Sequence, residues 1–208
     1  MQRKTFKPSA TSKRHQKGYT LIELGIAIAI VAVLIVGGLA GVQAITTSGK
    51  ISDQTKTLGR LQSTISKNYQ NTVLAAANNQ AQLVTLGAWD ARSVNAAGVV
   101  TSAFGTVEAI APNGVAIGSM LVNQGFVYTI AGVPQAACTD LAQSLAPLAF
   151  AISITANGAA GAAGAPNWAL ANNPSLAKAP DAQAWNAGGI AAACAGLAPA
   201  TFSIALKP

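Results

Sequence analysis

The sequence predicts an α+β fold in which a long N-terminal α-helix, hydrophobic over its first half, packs on a small antiparallel β-sheet domain. Three observations carry that expectation. From Leu24 to Val42 no residue is charged. Beyond that run, Ile51, Leu58, Leu61, Ile65, Tyr69 and Val73 recur at steps of seven, three, four, four and four, which marks one face of an amphipathic helix. Past residue 80 the period shortens, and brief β-prone runs alternate with Gly, Pro and Asn punctuation.

Residues 1–18 read as a basic leader that is removed. Arg3, Lys4, Lys7, Lys13, Arg14 and Lys17 lie there, and no acid does. Six of the 13 basic residues therefore precede Tyr19, leaving seven against 6 acids, and the formal +7 of the whole chain shrinks to about +1. A basic segment before an apolar run is a cytoplasmic flank under the positive-inside rule. It gives no reason to expect nucleic acid as a partner; a disordered basic tail with another use is the alternative. Of the 208 residues, 51% are hydrophobic and only 9% charged, against about 25% charged in an ordinary soluble domain. Either part of the chain lives in lipid, or its uncharged surface is covered.

Residues 19–44 form the transmembrane or filament-core half of the helix. Leu24–Val42 spans about 28 Å as a helix, close to the hydrocarbon thickness of a bilayer. A secretory signal has a shorter apolar core, although Ala40-Gly41-Val42-Gln43-Ala44 imitates a signal-cleavage site and keeps that alternative open. Gly37, Gly38 and Gly41 each cost about 1 kcal/mol relative to alanine inside a helix. That stretch is expected to be flexible and to loosen when the helix leaves a bilayer; equally, Gly37 and Gly41 form a G-x-x-x-G that permits close helix packing. Residues 45–78 form the amphipathic half, with Lys50, Lys56, Arg60 and Lys67 mostly on its solvated side. The helix is expected from near Tyr19 to about Ala77, where Asn78 and Asn79 weaken it.

Residues 79–208 form the head. Strands are expected over Thr106–Ala111, Gln124–Ala131, Ala149–Thr155 and Thr201–Leu206. A short helix carrying Cys138 is expected from Pro134 to about Leu148, with Pro147 ending it. Residues 156–200 are rich in Ala, Gly, Asn and Pro and read as irregular. Gly158, Gly161 and Gly164 make neither a collagen repeat nor a dinucleotide loop. Trp89, Trp168 and Trp185 read as core residues, with exposed receptor contacts as the alternative.

The chemistry-bearing residues are few. His15, the single histidine, lies in the leader, and Cys138 and Cys194 form no C-x-x-C, so neither a metal nor a cofactor is expected. In an exported head the two cysteines are expected to pair, closing a loop of about 57 residues for about 4 kcal/mol; two free buried thiols are the alternative. No Ser/His/Asp set, Cys–His pair or carboxylate pair is visible. The protein is not expected to be an enzyme. A membrane-anchored enzyme using Cys138 as nucleophile is the remote alternative.

The most informative segment is Lys17-Gly18-Tyr19-Thr20-Leu21-Ile22-Glu23-Leu24. Glycine lets a protease hold the backbone extended. A cut after Gly18 leaves the apolar helix on the mature chain and frees an amine at Tyr19. Glu23 stands at the start of the apolar run, and a charge in the membrane interior costs at least about 2.5 kcal/mol. The freed Tyr19 amine, of the same or a neighbouring subunit, is its candidate partner, and such a pair in a low-dielectric filament core favours one axial register. A carboxylate that snorkels to water is the alternative.

GYTLIEL followed by an unbroken apolar run resembles the N-terminus of type IV prepilins, over about residues 17–43. Tyr19 stands where that family usually has Phe. The resemblance implies the pilin fold, cleavage after Gly18 by a prepilin peptidase and an assembly role for Glu23. It leaves N-methylation of Tyr19 open, because some type IVb members lack it. It also implies a homo-oligomeric helical filament, a pilus assembly platform with its ATPase, an inner-membrane precursor and an extracellular pilus. The long leader and the late cysteine resemble type IVb pilins, with the thin-pilus pilins of conjugative systems nearest, and place Cys138 and Cys194 at the bounds of a C-terminal region. A major structural subunit is expected; a type II secretion pseudopilin or a minor pilin is the alternative. Adhesion, conjugation, DNA uptake and motility stay open as uses of the filament.

Overall fold

Thr20 starts the first helix. In the computed structural model, which describes residues 20–70, 72–74, 80–156, 168, 176–181, 187–195 and 199–208, helix α1 runs over Leu21–Asn68. Thr20 Oγ1 accepts from the Glu23 amide at 3.3 Å. The Thr20 carbonyl accepts from the Glu23 and Leu24 amides at 3.1 and 3.2 Å. Thr-x-x-Glu is the spacing of a capping box, and an acid in the first turn suits the positive end of the helix dipole.

The chain divides into two compact units, at Ala44 and Ile45. In the first, every described side chain from Leu21 to Val42 is exposed, and by length and composition this apolar helix suffices to cross a membrane. In the second, α1 buries Gln54, Leu58, Leu61 and Ile65 along one face. Full burial of each aliphatic side chain is worth about 1.5–3 kcal/mol.

Helix α1 stops at Asn68, short of the expected end near Ala77. Asn68 Nδ2 turns back to the Thr64 carbonyl at 2.8 Å. Tyr69 packs edge-on against Phe126, with ring centroids 5.3 Å apart. The Leu74 amide then donates to the Asn123 carbonyl at 2.7 Å rather than continuing a helical ladder. A contact with the sheet domain thus outcompetes further helix, and the apolar spacing shifts with it: Val73, expected on the buried face, is exposed, while Leu74 is buried. A short helix α2, Gln80–Thr85, follows and buries Leu83; the sequence reading had no element there.

Among the described residues the sheet has five strands: β1 Glu108–Pro112, β2 Phe126–Val133, β3 Ala151–Ala156, β4 Leu176–Lys178 and β5 Ala200–Leu206. Their order is β1-β2-β5-β3-β4, and every pairing is antiparallel. Strand β5 therefore lies in the middle and is buried along its whole length. Phe202, Ile204 and Leu206 enter the main core with Leu58, Leu61 and Ile65. Ala205 joins a smaller cluster with Ile117, Met120, Ala151 and Trp168. Strand β2 is irregular between Ile130 and Val133. There Gly132 has φ +73°, and a Cβ would meet Thr106 Cγ2 at 2.3 Å, so only glycine fits.

Helix α3, Gln135–Leu145, carries Cys138 and ends before Pro147, as the proline demands. The region 156–200, read as irregular, holds β4 and a further helix α4, Ala187–Cys194. Glycines at 188 and 189 weaken a helix on propensity alone. Tertiary packing overrides them: Ile190, Ala193 and Cys194 are buried in the main core. Trp89 and Trp168 are buried, while Trp185, Gly158, Gly161 and Gly164 lie outside the described residues.

Candidate functional site

Of the residues singled out at the N-terminus, Gly18 and Tyr19 lie outside the described residues. Glu23 is exposed in the first turn of α1, and its amide, not its carboxylate, makes the cap bond to Thr20. The side chain is therefore not consumed by the helix start. Gly37, Gly38 and Gly41 lie within α1, and a methyl group at any of them would meet nothing within 4 Å. Packing among the described residues does not demand glycine at these positions.

Cys138 and Cys194 form a disulfide with Cα atoms 5.8 Å apart and a sequence separation of 56. It ties α3 to α4 and so fixes the segment that carries β4 against the rest of the head. A buried lysine reinforces the same corner. Lys178 Nζ, on β4, donates to the Ala146 and Ala149 carbonyls at 2.8 and 2.6 Å. It brings a positive charge to carbonyls just past the C-terminus of α3, the end of a helix that favours cations. Burial holds its pKa below the ordinary lysine value. On the far side of the sheet, Asp181 accepts from the Ser119 amide at 2.7 Å and from the Ser119 hydroxyl. This bond clamps the Ile117–Met120 turn to the disulfide-bounded segment.

A polar hub that sequence reasoning did not find lies under α1. Gln54 Nε2 donates to Glu108 Oε1 and to the Tyr128 hydroxyl, both at 2.7 Å. Gln54 Oε1 accepts from the Ala103 amide at 3.2 Å. Trp89 Nε1 donates to Glu108 Oε2 at 2.9 Å. One glutamine thus fastens helix, loop, β1 and β2 together, with both amide donors and its carbonyl oxygen engaged. Glu108 is only 2% exposed, and no lysine or arginine pairs with it among the described residues. Burial pushes its carboxyl above the usual range, opposed by hydrogen bonds with Tyr128, Gln54 and Trp89. Burial, with the Glu108 charge second, pushes the Tyr128 hydroxyl well above its ordinary value.

A carboxyl whose folded pKa lies above its unfolded value binds more protons in the folded state. Its contribution to stability is complete below the unfolded pKa and is lost as pH rises through the folded one. Residues 19–208 hold no histidine, so few other groups titrate in that window. Urea unfolding of the mature protein in detergent is expected to show a midpoint that falls as pH rises from mildly acidic to neutral. Glu108→Gln is expected to lower the midpoint at all pH values, because its amide nitrogen faces a donor, but to remove that slope. A slope retained in E108Q would assign the titration elsewhere.

Above the hub opens a cleft of about 430 Å³ whose lining includes Asp53, Lys56, Arg60, Asp90, Arg92 and Glu108. Asp53 lies 3.4 Å from Lys56, and Asp90 lies 3.5 Å from Arg60. Asp90 also accepts from the Arg92 amide at 3.1 Å. That backbone bond, ahead of the Arg60 side chain, holds its carboxyl below the usual range. Among the described residues no group of His, Cys, Asp and Glu is arranged to hold a metal ion.

Comparison with known proteins agrees with the N-terminal and the head features separately. Residues 13–39 match the prokaryotic N-terminal methylation motif. Comparison with curated proteins gives no match. Among solved structures, the chain is similar to TcpA, a type IV pilin from Vibrio cholerae El Tor biotype, with a TM-score of 0.58 and 20% identity over 76% of this chain and 99% of that one. The type IVb pilin of Salmonella typhi is more distant, with a TM-score of 0.48 and 18% identity over 77% of this chain and 99% of that one.

Proposed function

We propose that this chain, which carries the prepilin N-terminal methylation motif and has the fold of a type IV pilin, is the major structural subunit of a type IVb-like pilus. The observation that carries the reading is the placement of the motif. It covers the start of the apolar half of α1, a surface that the described residues leave exposed. A prepilin peptidase cuts after Gly18. The freed chain, anchored in the inner membrane by residues 21–42, is then lifted by the assembly platform and its ATPase into an extracellular filament. Burial of that half against neighbouring copies replaces lipid. Gly37, Gly38 and Gly41, not required by packing among the described residues, let the helix unwind or let neighbouring helices approach closely. The disulfide and the Lys178 bonds suit a head that must hold its shape outside the cell.

Negative-stain imaging of expressing cells tests the role. Long, abundant fibres that label with antibody along their length are expected of a major subunit. A short stub that lengthens only on overexpression points to a pseudopilin, and label confined to a tip points to a minor pilin.

A further inference from the structure

We infer that two clefts on opposite flanks of α1 are the two halves of one head-to-tail contact between copies of this chain, the Arg60/Arg92 flank of one copy receiving the Asp140 flank of the next. The inference rests on the filament reading above and names the residues through which the heads would meet.

The first observation is where the charges are. Beyond the leader the chain has seven basic residues and 6 acidic ones, and six of these thirteen line the single cleft beside Trp89. At its rim stand three cations, Lys56, Arg60 and Arg92, against two exposed carboxylates, Asp53 and Asp90. Arg60 and Arg92 share one carboxylate, that of Asp90. The Arg92 guanidinium makes no hydrogen bond among the described residues, so this set lacks one acid.

The second observation is a cleft of about 420 Å³ on the other flank, lined by Ser48, Ile51, Ser52, Thr55, Lys56, Asp140 and Ser144. Asp140 is exposed on α3 and has no hydrogen bond or ion pair among the described residues. Helical spacing sets the two clefts apart. At about 100° per residue, residues 53, 57 and 60 lie on one side of the buried line through Leu58, Leu61 and Ile65. Residues 48, 52 and 55 lie on the other, and Lys56 sits on the crest between them.

A helical filament is built by contacts between two different patches of the same molecule, repeated without closing. The two flanks meet that requirement: apart from Lys56 on the crest they have different linings, they face opposite ways around one helix, and one presents the Arg92 guanidinium while the other presents the Asp140 carboxylate. A carboxylate from the neighbouring copy between Arg60 and Arg92 completes the set by charge-assisted, bidentate hydrogen bonding. The nearly uncharged surface elsewhere offers few competing partners, so the pair fixes which flank meets which.

Charge reversal tests the contact in cells expressing the full chain. Arg92→Glu and Asp140→Arg are each expected to cut sheared filament yield by about tenfold or more, because like charges then face each other, with cleaved subunit still present in the membrane. The double variant R92E/D140R is expected to recover most of the yield. Normal filaments from both single variants, or a double variant no better than the worse single one, overturn the contact and leave the filament reading intact. Cleaved wild-type subunit without any filament overturns both. Because a reversed charge can also harm folding, a second measurement uses the pair Arg92→Cys and Asp140→Cys in one chain. Mild oxidation of its filaments is expected to give a ladder of covalent multimers on non-reducing gels, and absence of the ladder overturns the contact.

Discussion

Glu23→Val is expected to leave the subunit cleaved and membrane-bound but to abolish filament assembly. The substitution keeps the backbone amide that donates to Thr20 Oγ1 at 3.3 Å, so the start of α1 survives. It also removes a charge from the edge of an apolar run, which favours the membrane form. What disappears is the only carboxylate between Tyr19 and Ile51. Under the proposed pairing the Tyr19 amine then loses its partner in a filament core, and an unpaired buried charge costs about 3–5 kcal/mol. That corresponds to roughly two to four orders of magnitude per added subunit. Sheared filaments and membrane fractions, blotted in parallel, read both arms. Normal filaments from the E23V subunit would remove the pairing role and leave a carboxylate that reaches to water.

The second large effect is expected from Cys138→Ser. Both cysteines are buried, and their bond closes a segment of sequence separation 56. Loss of such a bond costs about 4 kcal/mol by chain entropy alone, out of a total of about 5–15 kcal/mol for a whole domain. The buried serine hydroxyl adds a polar group to an apolar site. In detergent, the urea midpoint of the C138S protein is expected to fall by about 2 M or more relative to the oxidised wild type, and a reductant is expected to lower the wild type alike. In cells the mature subunit is expected to be degraded and filaments lost. An unchanged midpoint would show that the α3–α4 corner is held by Lys178 and apolar packing instead.

Much of the fold was legible because two physical patterns are strong. A charge-free run of bilayer length and a stripe at helical spacing specify α1, and β-prone runs between turn residues locate β1, β2, β3 and β5 to within a few residues. What escaped was decided by tertiary contact. The end of α1 is set by Tyr69 on Phe126 and Leu74 on Asn123, neither of which leaves a local signal. Strand β4 and helix α4 lie in an Ala- and Gly-rich stretch without periodicity, and they form because Ile190, Cys194 and the Lys178 bonds tie them down.

The polar hub had a faint trace. Gln54 stands four residues before Leu58 on the buried spacing, and Glu108 lies in a strand that alternates inward, so each was a polar residue at a core position. Only the three-dimensional fold brings Gln54, Trp89, Glu108 and Tyr128 to one point. The N-terminal motif was the reverse case. Its meaning was wholly local, carried by Gly18, Glu23 and the run between them and Val42, and the match over residues 13–39 rests on the same stretch.

Mass spectrometry of the mature protein tests the cut on which this function rests. A chain beginning at Tyr19, with or without one methyl group on its amine, is expected, with the apolar half of α1 retained. A mature chain beginning at Ile45 would mean ordinary signal cleavage after Ala44, no helix left to polymerise, and no pilin.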